Sequence, residues 1–171
     1  LVKLKNTVLP IIFINNLKTF PYQHISFSRY SYGQLVPLFP EKSYNIPFLD
    51  WLDCNDVILA VSGIGNPRPF VKYLKSFQFT LKITTFPDHH NFTRKDIDII
   101  LKRFNSLDAQ SKYIVTTEKD AVRLMNNPYF PCELMPYIYY LPIAVEFEET
   151  PKELPFIDAI KKCIEKANNN N

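Results

Sequence analysis

Three consecutive residues, Asp88-His89-His90, carry most of the chemical potential of this chain. An imidazole titrates near neutrality, and a carboxylate beside it can orient the ring or share its proton. Such a pair is equipped for general acid–base work or for metal ligation. Adjacent side chains do not easily reach one small site together, so one histidine is expected to serve chemistry and the other structure. A plainer role is also open, in which the pair caps a helix beginning near Thr93.

Two further stretches could bind or position a substrate. Gly63-Ile64-Gly65-Asn66-Pro67-Arg68 begins like a dinucleotide fingerprint, but the third glycine of GxGxxG would fall at position 68, where Arg stands. Its glycines allow a tight turn, and the N–H groups at the start of a helix, with Arg68 one turn in, could hold a phosphate. Gly63, Gly65, Asn66 and Arg68, together with Lys119 and Asp120 further along the chain, are therefore candidate anion or substrate contacts, against the alternative of capped turns with no ligand. The third stretch, Thr116-Thr117-Glu118-Lys119-Asp120-Ala121-Val122-Arg123, has the form of a capping box, with Thr117 as N-cap and Asp120 three residues later. A sharper expectation puts Lys119 or Asp120 against Asp88 or His89, because adjacent parallel strands bring their carboxyl-end loops together.

The elements that must position these residues are regular. Val57 to Ser62 is a short, nearly continuous apolar run, the pattern of a strand buried on both faces. A helix is predicted from Pro67 to Ser76, a strand from Phe79 to Phe86, a helix from Thr93 to Phe104 and a strand from Tyr113 to Thr117. A short helix over Glu118–Met125, a strand over Tyr137–Val145 and a closing helix over Leu154–Ala167 complete the alternation. It predicts an α/β fold, a three-layer sandwich with a mainly parallel sheet. Upstream, Ile25–Tyr30 and Leu35–Leu38 flank Tyr32-Gly33-Gln34 and suggest a two-stranded β-ribbon linker, followed by linker chemistry from Phe39 to Pro47. The expected organisation is residues 1–45 as a remnant of a preceding domain plus the ribbon, 46–167 as an α/β domain, and 168–171 as a disordered tail.

Composition narrows the functional classes. Only three of the 171 residues are glycine, and no GxxxxGK[ST] pattern occurs, so the sequence offers no P-loop for a nucleotide. An aromatic share of 15% argues for a folded chain rather than a disordered one. Lys and Arg outnumber Asp and Glu by 20 to 17, and a net charge of +3 is too small to predict a nucleic-acid partner. Cys54, Cys132 and Cys163 are odd in number and form no CxxC pair, so they are expected to be reduced, buried thiols of a cytosolic protein, with no metal site. No apolar run approaches the roughly 18–20 residues of a membrane span. The first residues show neither an initiator Met nor a signal-peptide pattern, which predicts a truncated chain or one numbered from an internal point.

Taken in order, Ser62-Gly63-Ile64-Gly65-Asn66-Pro67, Phe86-Pro87-Asp88-His89-His90 and Val115-Thr116-Thr117-Glu118-Lys119-Asp120-Ala121-Val122-Arg123 resemble the C-terminal half of the tetraacyldisaccharide 4'-kinases, the lipid A kinases of Gram-negative bacteria. The ribbon looks like the linker between that family's two domains, so the resemblance covers roughly residues 22–147. It implies ATP- and Mg²⁺-dependent transfer of a phosphoryl group to the 4'-hydroxyl of a lipid A precursor, tetraacyldisaccharide 1-phosphate, at the cytoplasmic face of the inner membrane. In that family a P-loop domain comes first and supplies the Walker lysine, the Mg²⁺ ligands and an aspartate base. The histidine of a DH pair completes the active site, and the matching residue is His89, with Asp88 before it. Such a histidine suits a reaction that depends mainly on positioning and charge stabilisation. By that comparison this sequence is expected to lack the family's P-loop, Walker B pair and membrane-associating amino-terminal segment. The resemblance therefore implies a C-terminal part of such a kinase, inert alone, with no ATP or Mg²⁺ site of its own and with the missing P-loop domain as its partner.

Two other classes fit parts of the pattern. Asp88-His89-His90 spells the metal-binding triplet of the DHH phosphoesterases, although the DxD loops those enzymes need are not found upstream. A non-catalytic α/β domain binding an anion or a protein through residues 63–68 would need no Asp-His pair at all.

Overall fold

The computed structural model describes residues 26–43, 47–109, 111–148 and 155–169. Among these the strands are β1 (Phe27–Tyr32), β2 (Val36–Pro37), β3 (Asp56–Ser62), β4 (Thr80–Thr85), β5 (Ser111–Thr117), β6 (Ile138–Leu141) and β7 (Ile143–Glu148). The α-helices are α1 (Arg68–Leu74), α2 (Arg94–Asn105), α3 (Glu118–Met125) and α4 (Phe156–Asn169). The chain divides into two compact units, Tyr32–Ala144 and Leu1–Ser31 with Val145–Asn171. Residues 1–24, expected as the remnant of a preceding domain, lie outside the described residues, as do 44–46 of the expected linker, Leu154 at the start of the expected closing helix, and 170–171 of the tail.

In the unit Tyr32–Ala144 a sheet runs in the order β2-β6-β5-β3-β4, parallel throughout except that β2 is antiparallel to β6. Strand residues alternate between two cores, as the period of two requires. Ile58 and Ala60 of β3, with Val115, Tyr139 and Leu141, pack on Phe70 and Leu74 of α1. Leu59 and Val61, with Ile114 and Ile138, pack on Ile97, Ile100 and Phe104 of α2 and on Ala121 and Leu124 of α3. The sheet is thus covered on both faces, which gives the expected three layers. Each such aliphatic side chain contributes about 1.5–3 kcal/mol by leaving water.

Strand order also fixes where loops converge. From β3 the chain crosses through α1 to β4 on one side, then returns through α2 to β5 on the other side of β3. The helices that follow β3 and β5 consequently leave on opposite faces, and the crevice between those two strand ends is the topological switch point, where open α/β sheets bind ligands.

Two local expectations change. The run Tyr137–Val145 is two strands, because Pro142 lacks an N–H and interrupts the ladder, and β7 departs to pair with β1 in a two-stranded sheet. A ribbon is present as expected, but its second strand is β7; Val36–Pro37 instead edges the large sheet against Tyr139 and Tyr140. In the second unit Arg29 donates through Nε and a terminal nitrogen to Glu146 Oε2 at 3.1 and 2.9 Å. Phe147 of β7 stacks on Phe156 of α4 with ring centroids 3.9 Å apart.

Cys54, Cys132 and Cys163 are all exposed rather than buried. They sit before β3, at the start of the 3-10 turn Cys132–Tyr137, and on α4. Among the described residues no helix is long and apolar enough to cross a membrane.

Candidate functional site

The ends of β4, β3 and β5 stand side by side, with Ser62 opposite Thr85 and Val61 opposite Thr116. The turn after β3, the Asp88–His90 loop after β4 and the start of α3 after β5 therefore meet at one edge. Just past β4, Phe86 N–H still donates to Ser62 O at 2.7 Å, and within the strands the Thr116 hydroxyl donates to Val61 O at 2.9 Å.

Of the expected site residues, Asp120 has the most constrained position. Its side chain is fully buried. The Gly63 N–H and the Thr117 hydroxyl donate to Oδ2 at 2.8 and 2.7 Å, and Arg123 donates to Oδ1 at 3.2 Å. The same Arg123 nitrogen reaches Gly63 O at 3.4 Å. A carboxylate out of water needs such donors on both oxygens. Asp120 thus lies beneath the site and bridges the floor of the switch-point crevice. Thr117 caps α3 by accepting from Asp120 N–H, as expected. The full reciprocal capping box forms one helix earlier, between Thr93 and Asp96.

The two histidines separate in role. Asp96 Oδ2 accepts from Thr93 N–H at 2.7 Å and from the Thr93 hydroxyl at 2.6 Å, and lies 2.9 Å from His90 Nε2. A carboxylate only accepts, so His90 donates from Nε2. Its ring stacks on Phe86, with centroids 5.0 Å apart, and meets Phe92 edge-on. His90 therefore belongs to the start of α2 and does not join His89 and Asp88 in a metal-binding triplet. At the far side of the loop Asn127 Nδ2 donates to Phe92 O at 2.6 Å.

His89 is the exposed member, with 73% of its side chain open to solvent. Its backbone has φ 56°, in the left-handed region where histidine is commoner than most side chains but still strained. Its N–H donates to Asp88 Oδ1 at 2.9 Å, and its ring Nε2 lies 3.7 Å from Asp88 Oδ2. Lys119 Nζ is 3.6 Å from Asp88 Oδ1, so the expected contact between the second and third junctions is present. Desolvation raises the Asp88 pKa, but the His89 N–H, the charges of His89 and Lys119 and the Gly65 N–H outweigh it and hold the carboxyl below its ordinary value.

The glycines of the first junction are needed for space. Neither has positive φ. A Cβ at Gly65 would stand 2.7 Å from Asp88 Oδ2, and one at Gly63 would stand 3.2 Å from His90 Cβ and 3.3 Å from Asp120 Oδ1. The room left at Gly65 is filled by the Asp88 carboxylate, which repels phosphate oxygens, so the turn is not a triphosphate cradle. Asn66 Oδ1 accepts from Arg68 N–H at 3.2 Å, while Pro67 stands at the N-cap of α1 with no side-chain cap bond, and Arg68 is exposed beside it.

Sequence reasoning missed Arg123 and Asp96. One signal was available for Asp96: Thr93-Arg94-Lys95-Asp96 and Thr117-Glu118-Lys119-Asp120 share the spacing TxKD.

Comparison with known proteins gives one consistent result. Residues 39–162 match the family model of tetraacyldisaccharide-1-P 4'-kinase. A tetraacyldisaccharide 4'-kinase of Bacteroides thetaiotaomicron is 38% identical over 148 residues, 83% of this chain and 39% of that protein. Those of Phocaeicola vulgatus and Parabacteroides distasonis are 38% and 41% identical, over 81% and 74% of this chain and 37% and 34% of theirs. The chain spans about two fifths or less of the length of these relatives. No solved structure matches it.

Proposed function

The chain belongs to the tetraacyldisaccharide-1-P 4'-kinase family, and from that premise we propose that it supplies the acceptor-side half of a lipid A 4'-kinase active site. The whole enzyme would phosphorylate the 4'-hydroxyl of tetraacyldisaccharide 1-phosphate. ATP and Mg²⁺ would be held by another part of the whole protein, since this sequence has no GxxxxGK[ST] motif and its GxG turn is filled by Asp88. That P-loop domain is the chain's main partner, and the membrane surface that carries the lipid is reached through the whole, peripheral protein at the cytoplasmic face.

The observation that carries this reading is the exposed ring of His89 beside its own Asp88, at the strand-end edge that open α/β sheets use for ligands. Asp88 stands 3.7 Å from the ring nitrogen and can orient the imidazole toward the acceptor hydroxyl. Lys119 on Asp88, and Arg68 at the first junction, supply positive charge at the same edge for an anionic substrate. Gly63, Gly65 and Asn66 shape the turn beside it.

The test is phosphorylation of tetraacyldisaccharide 1-phosphate from labelled ATP. The 171-residue chain alone is expected to be inactive and the whole protein active. In the whole protein His89→Ala should lower kcat by about 10²–10⁴-fold while KM for ATP stays within a few-fold. Unchanged kcat would remove His89 from the mechanism, and turnover by the chain alone would overturn the division of labour.

A further inference from the structure

Asp120 is the one charged side chain buried among the described residues. Its place in the first turn of α3 would ordinarily be filled by an exposed acid facing free N–H groups. Burying a carboxylate with an arginine is weak support for a fold, since well-packed apolar residues often serve as well or better. What the burial does provide is a fixed peptide across the switch point. Gly63 is held by its N–H on Asp120 and by its carbonyl on Arg123. Two residues on, the Gly65 N–H acts on the Asp88 carboxylate, whose Oδ2 fills the space that a Cβ at Gly65 would take. Asp88 in turn holds the backbone of His89 at 2.9 Å. At the near end of the same turn there is no room beside Gly63 for a side chain: a Cβ there would stand 3.2 Å from His90 Cβ and 3.5 Å from Pro87 O. The link from Asp120 to the exposed imidazole is continuous and short.

We propose that Asp120 is a positioning residue for Asp88 and His89, acting through the Gly63–Gly65 turn rather than on substrate. The mechanical link stands on the geometry above; its consequence for turnover rests on the kinase reading.

Two measurements test it. In amide NMR spectra of the 171-residue chain, Asp120→Asn should shift Gly65 and His89 while leaving Asp96 and Ile97 in place. A folded variant with Gly65 and His89 unmoved overturns the proposal. Should Asp120→Asn fail to fold, Arg123→Gln removes the outer half of the clamp and should move the same two amides by a smaller amount; if they stay fixed, the proposal fails. In the whole protein Asp120→Asn should lower kcat by about 10–100-fold, the cost of a displacement near 1 Å, with KM for ATP within about twofold. Phe104→Leu, a core variant away from the site, should keep its kcat at a comparable loss of thermal stability. Equal kcat losses in the two variants overturn positioning. If the wild-type whole protein phosphorylates nothing, the kinase reading fails and the amide shifts alone decide the mechanical link.

Discussion

His90 donates to Asp96 across 2.9 Å, while the adjacent His89 stands at φ 56° with its ring open to solvent. The first fact helps to explain the second. Asp96 fixes His90 at the start of α2, and Ser62 fixes Phe86 at the end of β4. Only Pro87, Asp88 and His89 remain to make the turn between these anchors. Pro87 cannot take positive φ, and of the other two it is His89 that carries the left-handed step.

That step has a cost of about 1–2 kcal/mol for a residue with a Cβ. His89→Gly is accordingly expected to leave the chain at least as stable to urea as the wild type, and His89→Val to lose about 1–3 kcal/mol. Equal stabilities of the two variants would show that the loop relaxes out of the left-handed region.

The Asp96 carboxyl gives an acid-dependent stability. Desolvation raises its pKa, but hydrogen bonds from the Thr93 hydroxyl and N–H and the contact with His90 bring it below the ordinary value. A folded value below the unfolded one, about 3.9, stabilises the fold above that pH and is lost as pH falls through the folded value. Asp96→Asn should therefore cost about 0.5–2 kcal/mol at pH 7, the range for a lost cap, and much less near pH 2. Urea titrations at the two pH values check this; a penalty that does not shrink on acidification would assign the stabilisation elsewhere.

Much of the fold could be read from local pattern. Val57–Val61 is buried as its continuous apolar run requires, and α3 spans Glu118–Met125 as expected from Thr117 as cap. What local pattern lacked was partnership between distant segments. Nothing near Phe27–Tyr32 indicates that β7, more than a hundred residues on, is its partner, although Pro142 inside the apolar run marked a break. In the site the spacing TxKD occurs twice with two outcomes. Asp96 closes a local box, while Asp120 is drawn inside by Gly63, 57 residues away. The glycines were expected to bend the chain; they make room for Asp88, His90 and Asp120 instead, a demand set by loops that meet only in the folded sheet.

The two glycines differ in what they touch, and their substitutions should differ likewise. The three atoms nearest to a Cβ at Gly65 all belong to the exposed Asp88 side chain, which can yield at the expense of its contacts with His89 and Lys119. A Cβ at Gly63 meets His90 Cβ, Pro87 O and the fixed Asp120 carboxylate. Gly65→Ala is expected to cost less than about 1 kcal/mol, and Gly63→Ala about 1–3 kcal/mol, as overpacking does. Thermal denaturation of both variants tests the order, and a reversal would mean that the first junction is looser than its contacts imply.

Lys119 should matter for the charge at Asp88 more than for the fold. The pair is 3.6 Å apart, with 47% and 45% of the two side chains exposed, and exposed pairs contribute only about 0–1 kcal/mol. Lys119→Met is therefore expected to leave thermal stability essentially unchanged. Removing the cation takes away one of the interactions that depress the Asp88 pKa, so its carboxyl should titrate at higher pH in the variant. The His89 N–H bond is backbone-borne and survives the substitution, which keeps part of the depression. Salt separates the two contributions: at 1 M ionic strength the screening length is about 3 Å, so wild type and Lys119→Met should titrate nearly alike. Carbon-13 NMR of the Asp88 carboxyl at low and high salt reads both effects. A salt-independent gap between the two proteins would show that Lys119 acts on Asp88 by shaping the loop rather than by its charge.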